Sequence, residues 1–316
     1  MSRLIGAELN RWFSRRLVWV VFAASVLLTL LVVAGTAYSA RPMSSQELAY
    51  AEQQYTEMKQ EAEREAQQCL RDGGTADECA SWTPERSDFV REPPPYAALA
   101  GGMAQAGTMI AAYAALLAGA SFIGAEFKTG NIGTWLTYVP SRLPVLVSKA
   151  VAAAVGVTLL GVAVIGLFQA GAAGIVLAWA EPGALQPAAE AWAMAGRGLL
   201  LVLIAGLVGF ALAGLFGSTV GPVGLLLGLM VLQWAIGLIA LVMGGSAWLQ
   251  AALPDPNIQA FLAGSTEIAY AERGPNGAMV EATYTLGLGQ ASAYLGGLLA
   301  VVLALAGWRF ITREIR

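Results

Sequence analysis

Apolar residues in this chain run in long unbroken blocks instead of the three-and-four stripes of a soluble helix. Windows free of Asp, Glu, Lys and Arg cover residues 17–40, 96–125, 150–180, 198–254 and 282–308. Each exceeds the roughly 20 residues that carry a helix across a hydrocarbon core. The fourth window is too long for one helix, and the run from Gly217 through Ser218 and Thr219 to Pro222 breaks it. The pattern therefore predicts six spans, at 17–40, 96–125, 150–180, 192–217, 220–243 and 285–308. A single all-α membrane domain covers 1–316.

Between the spans lie an N-terminal interfacial segment (1–16), a long polar loop (41–95), a mixed loop (126–149), a second apolar but interrupted loop (244–281) and a short tail (309–316). The apolar run at the start of the first window is longer than the roughly 7 to 15 residues of a signal-peptide core, so it reads as an uncleaved anchor. Composition agrees with a bilayer setting. Of 316 residues, 57% are hydrophobic and only 12% charged, with mean hydropathy +0.62, whereas a soluble domain carries about 25% charged residues.

Charge placement sets the expected orientation. With six spans both termini share a side, and that side collects Arg3, Arg11, Arg15, Arg16, Lys128, Arg142, Lys149, Arg309, Arg313 and Arg316 against only Glu8, Glu126 and Glu314. Orientation follows Lys and Arg near span ends, which predicts cytoplasmic termini and external loops at 41–95, 181–197 and 244–281. The sequence pI of about 5.2 reflects those acidic outer loops and points to no nucleic-acid partner.

The first external loop opens on Ser44-x-x-Glu47, a capping-box pattern, and Leu48, Ala51, Tyr55, Met58, Ala62 and Cys69 then recur at helical spacing. A helix over 45–70 is expected, either a solvated spacer or a cap that gates or binds a partner. Cys69 and Cys79 both fall in this loop. An oxidising compartment there allows a structural bridge, the alternative being two free thiols. In the N-terminal segment Ile5, Leu9 and Trp12 oppose Arg3, Asn10 and Ser14, the layout of an interfacial helix or of a span extension with basic anchors.

Several chemistries are excluded. The chain has no histidine, and two cysteines alone complete no zinc site. The lysines Lys59, Lys128 and Lys149 follow Met58, Phe127 and Ser148, so no Gly-Lys-[Ser/Thr] phosphate loop is encoded. The predicted spans hold no ionisable residue except Arg197 at an outer edge, where snorkelling is the plain reading. That disfavours a proton-coupled pump. Gln105, Thr108, Gln169, Gln233 and Gln290 are the candidate pathway residues, with interhelical hydrogen bonding as the alternative. Gly224-x-x-x-Gly228 is a candidate close-approach motif in the fifth span. Trp248, Leu249, Leu253, Ile258, Phe261 and Leu262 in the last external loop suit short re-entrant or interfacial helices.

The loop at 126–149 is too long for an inter-helix connection of about 2 to 8 residues, and it resembles the cytoplasmic motif of ABC-2 type transporter permeases. The residues carrying the likeness are Glu126, Phe127, Lys128, Gly130, Leu136, Pro140, Arg142 and Lys149, with exposed Trp135 between them. The segment ELNRWFSRRLVW and the ending FITREI also resemble that family, although Asn131, Gly133 and Glu314 depart from its usual residues. The resemblance implies a non-catalytic permease subunit whose loop, through Glu126, Phe127, Lys128, Gly130, Trp135, Leu136, Pro140 and Arg142, docks on a separate ABC ATP-binding subunit holding ATP and Mg. It further implies a second permease copy, same or different, meeting the fifth and first spans. The expected setting is a bacterial plasma membrane, with export of an amphipathic or lipid-like compound such as a drug or antibiotic. A membrane scaffold or sensor recruiting a partner through the external helix, or a secondary carrier, are the other readings.

Overall fold

The computed structural model describes residues 2–79, 83–92, 94–129, 142–179, 185, 188–243, 247–273 and 279–312. The chain is a helical integral membrane protein, with six helices among the described residues long and apolar enough to cross a membrane. In chain order these are α2 (Arg16–Ser39), α5 (Tyr96–Thr129), α6 (Arg142–Trp179), α7 (Ala189–Phe216), α8 (Val220–Met243) and α11 (Leu288–Thr312). The remaining α-helices among the described residues are α1 (Ser2–Ser14), α3 (Ser45–Arg71), α4 (Ala76–Cys79), α9 (Ala247–Ala251) and α10 (Pro254–Ala263).

The centre is a trio of α5, α6 and α7. Up to 67% of an apolar window of α5 is buried inside the protein, against 17% for α2 and α11 and 6% for α8, so those three present most of their surface outward. In lipid there is no hydrophobic gain from pairing two apolar helices, and close packing of small residues takes its place. Ala111, Ala115 and Gly119 line the buried side of α5, and Gly206, Gly209 and Ala213 that of α7. A Cβ on Gly119 would strike the Gly206 carbonyl, and one on Gly209 the Leu116 carbonyl. These two helices touch backbone to backbone.

Helices α5 and α6 overrun the bilayer. At 34 and 38 residues they measure about 51 and 57 Å at 1.5 Å per residue. The expected loop at 126–149 is consequently helical at both flanks, and the side chains of Glu126 and Lys149 are buried, not solvated.

The polar arm between the first two spans is α3, 27 residues long, or about 40 Å. Its start is a complete capping box: Ser44 Oγ accepts from the Glu47 N–H at 3.3 Å, and Glu47 Oε2 accepts from the Ser44 N–H at 2.8 Å. Arg86 on the returning chain grips Glu52 through Nε at 2.8 Å and Nη2 at 2.6 Å, and the Tyr55 and Phe89 rings meet at 5.9 Å. Cys69 and Cys79 are bridged, with Cα atoms 5.6 Å apart. Gly74 packs on the bridge so closely that a Cβ there would meet both sulfurs.

The Ser44 backbone donor, then its hydroxyl, holds the Glu47 carboxyl below the ordinary glutamate range. A depressed value means that the cap stabilises α3 above the unfolded-state pKa and is lost as pH falls through the folded-state one. Acidification should therefore lower the amide protection factors at residues 45–47 before those of the rest of α3, and Glu47→Gln should flatten that dependence. Protection factors independent of pH in the wild-type chain would contradict it.

Beyond α8 the expected short helices are present as α9 and α10, but the chain then forms an antiparallel hairpin of β1 (Ser265–Arg273) and β2 (Met279–Gly287), with Ser265 opposite Gly287 and Arg273 opposite Met279. Helices alone were expected over 244–281, and the hairpin corrects that. Ile268 and Leu286 turn inward and join Phe261, Leu262 and Leu295 in a small second core, which pins this cap onto α7 through Leu201.

Candidate functional site

The most concentrated chemistry in the molecule is an ion cluster where α1, α5 and α6 meet. Glu8 and Trp12 stand one turn apart on α1, and both face inward, at 0% and 1% exposure. The neighbour that admits Trp12 is Gly156 of α6, where a Cβ would collide with the indole. On its other side Trp12 meets the Phe122 ring edge-on, with centroids 5.0 Å apart. This anchoring drives Glu8 into the protein, where a bare carboxylate would be strongly unfavourable.

Lys149 is its counter-charge. Its Nζ donates to both Glu8 oxygens at 2.9 Å and forms an ion pair with Glu126 Oε2 at 2.6 Å. Lys149 is 0% exposed and Glu126 2%. Arg15 approaches from the start of α2, with Nη2 donating to Glu126 Oε1 at 3.2 Å and Nη1 to the Ser121 carbonyl at 2.9 Å. Arg11 adds a looser contact of 3.6 Å to the same Glu126 oxygen. The Phe122 ring lies 5.0 Å from the Arg15 guanidinium and 5.7 Å from Lys149 Nζ, so its electron-rich face helps hold both cations. Two carboxylates and three cations thus share one knot, with Glu8, Glu126 and Lys149 buried at its centre and Arg15 and Arg11 at its partly exposed edge.

A second tie closes the ring of helices at the same end. Arg142 opens α6, and its Nη1 donates to the Ile311 carbonyl at 3.0 Å and to the Phe310 carbonyl at 3.4 Å. These carbonyls belong to the last turn of α11, which lacks intrahelical donors and carries partial negative charge. Phe127 of α5 meets Phe310 edge-on at 6.4 Å. The helix ends on either side of residues 130–141 are therefore bonded to α1, α2 and α11.

Of the expected docking residues, Glu126, Phe127 and Arg142 are in this assembly. Lys128 lies on α5, and Gly130, Trp135, Leu136 and Pro140 lie outside the described residues. The five polar span residues are scattered. Gln105 is exposed, Thr108 donates to the Ala104 carbonyl of its own helix, and Gln290 accepts from the Tyr284 hydroxyl. Gln169 is buried at 4% exposure with both amide ends unpartnered among the described residues, and Gln233 lines a cavity between α5 and α8. Glu8 was missed by sequence reading. Its signal was present: it is the one acid among the basic residues of an amphipathic helix, four positions before a tryptophan.

The chain matches no family model, and no curated protein matches it. The architecture shown is that of a multi-pass membrane protein.

Proposed function

We propose that the chain is the membrane-spanning permease subunit of an ATP-driven transporter of the ABC-2 type, exporting an amphipathic or lipid-like compound by alternating access. ATP and Mg bind a separate ATPase subunit, a second permease copy completes the pore, and both termini face the cytoplasm of a bacterial cell. The observation that carries this reading is the way both flanks of 130–141 are wired into the bundle. Force applied to that segment reaches α1 and α2 through Glu126 and Lys149, and α11 through Arg142. In this reading buried Glu126 and Lys149 position and transmit, and the contacts with the ATPase fall to the segment between the flanks.

A mild-detergent pull-down of the tagged chain from its native membrane tests the reading, with mass spectrometry and an ATPase assay. A stoichiometric P-loop ATPase supports it; recovery of the chain alone, or with other partners, overturns it. Arg142→Glu should keep membrane insertion and the Cys69–Cys79 bridge while transport falls at least tenfold, and ATPase activity should no longer respond to substrate. Unchanged transport would remove Arg142 from the coupling path. The scaffold reading rests on α3, whose braced 27-residue arm stands apart from the spans, and a non-ATPase partner bound to that arm would favour it.

A further inference from the structure

Helix α8 packs against α7 but stands off α5, and the gap is a cavity of about 320 Å³ closed at one end by α10. Its walls are graded. Leu116, Leu226 and Leu229 form an apolar end, while Gln233 and Asp255 lie at the end near the external cap, and Trp234, at 81% exposure, marks the outer wall. From Leu226 to Trp234 the cavity follows α8 for about 12 Å. Asp255 supplies the one carboxylate in the lining. It sits in the first turn of α10, accepts from Gln259 Nε2 at 2.8 Å and is half-buried.

A hydrocarbon-lined slot with a single anion at its polar end has a definite complement. We infer that this cavity binds a single-chain amphiphile with a cationic head, its tail along α8 and its head beside Asp255 and Gln233. The tail exchanges lipid contact for contact with Leu and Met side chains, which is nearly neutral, so affinity and selectivity come from the head. An ammonium gains a half-buried counter-charge at Asp255, whereas a phosphate or sulfate head meets repulsion from it. The inference deepens the transporter reading by naming a substrate class, and it rests on that reading for turnover, not for binding.

The test uses the full chain in lipid nanodiscs and two diazirine-bearing alkyl probes of equal length, one with a trimethylammonium head and one with a sulfate head. After photolysis, labelled peptides are mapped by mass spectrometry. The ammonium probe should label segments containing Met109, Leu229 and Met230 in preference to the outer face of α2. Asp255→Asn should cut that labelling roughly fivefold, about the weight of one partly buried ion pair, and raise the labelling by the sulfate probe. Leu229→Trp, which fills the slot, should abolish the ammonium labelling while the chain still elutes as a single species. Equal labelling by both probes, labelling spread over α2, or indifference to Asp255→Asn would each overturn the inference. Specific binding without an ATPase partner in the pull-down would keep the site and discard the transporter.

Discussion

Lys149→Met should destabilise the protein by about 3–5 kcal/mol, the usual cost of removing one partner from a buried ion pair. The loss falls unevenly on the two carboxylates. Glu126 keeps Arg15 at 3.2 Å and Arg11 at 3.6 Å. Glu8 loses the ion pair that Lys149 gives it and feels Arg15 only through a coulombic interaction, which favours its hydration, protonation or expulsion. Expulsion takes Trp12 with it, because both residues ride the same face of α1. The checkable signature is faster tryptic cleavage after Arg11 and Arg15, together with a lower melting temperature in detergent. Glu8→Gln in the Lys149→Met background should restore much of the stability, and Glu126→Gln should restore less. Wild-type stability of Lys149→Met, or equal rescue by both glutamines, would refute this distribution of charge.

That cluster marks the boundary between what the sequence makes legible and what it hides. The spans were readable because a bilayer demands about 20 apolar residues in a row, a constraint written locally. The α3 cap was readable for the same reason, since Ser44 and Glu47 are three residues apart and both reciprocal bonds form. The Cys69–Cys79 bridge spans ten residues within one loop, and compartment logic sufficed to suggest it. Lys149 and Glu8 are 141 residues apart, and nothing local announces their pairing; read one at a time, each is another charge beside a membrane. The hairpin was legible in principle. Thr266, Ile268 and Tyr270, then Val280, Ala282 and Tyr284, alternate with period two on either side of a Gly-Pro-Asn-Gly run, but the apolar residues before it drew the whole stretch toward helix.

Glycine spacing along one helix is a poor guide to contacts inside this chain, and glycine contacts set the second large effect. Gly224-x-x-x-Gly228 has the spacing associated with helix association, yet a Cβ on either residue meets nothing within 4 Å in this chain. Gly119 and Gly209 stand in no such motif with each other, being on different helices, and both abut backbone carbonyls. A carbonyl on a packed helix cannot swing aside as a side-chain tip can. Gly209→Ala should therefore force α5 and α7 apart and cost toward the upper end of the about 1–3 kcal/mol typical of overpacking, and Gly209→Leu should cost more. Gly224→Ala should be neutral or stabilising by about 0.5–1 kcal/mol, because alanine orders a helix better than glycine where space is open. Melting temperatures of the three variants in one detergent decide the matter. If Gly224→Ala were the damaging change and Gly209→Ala harmless, then α8, not the α5–α7 seam, would be the packing axis, and the cavity between α5 and α8 would have to close.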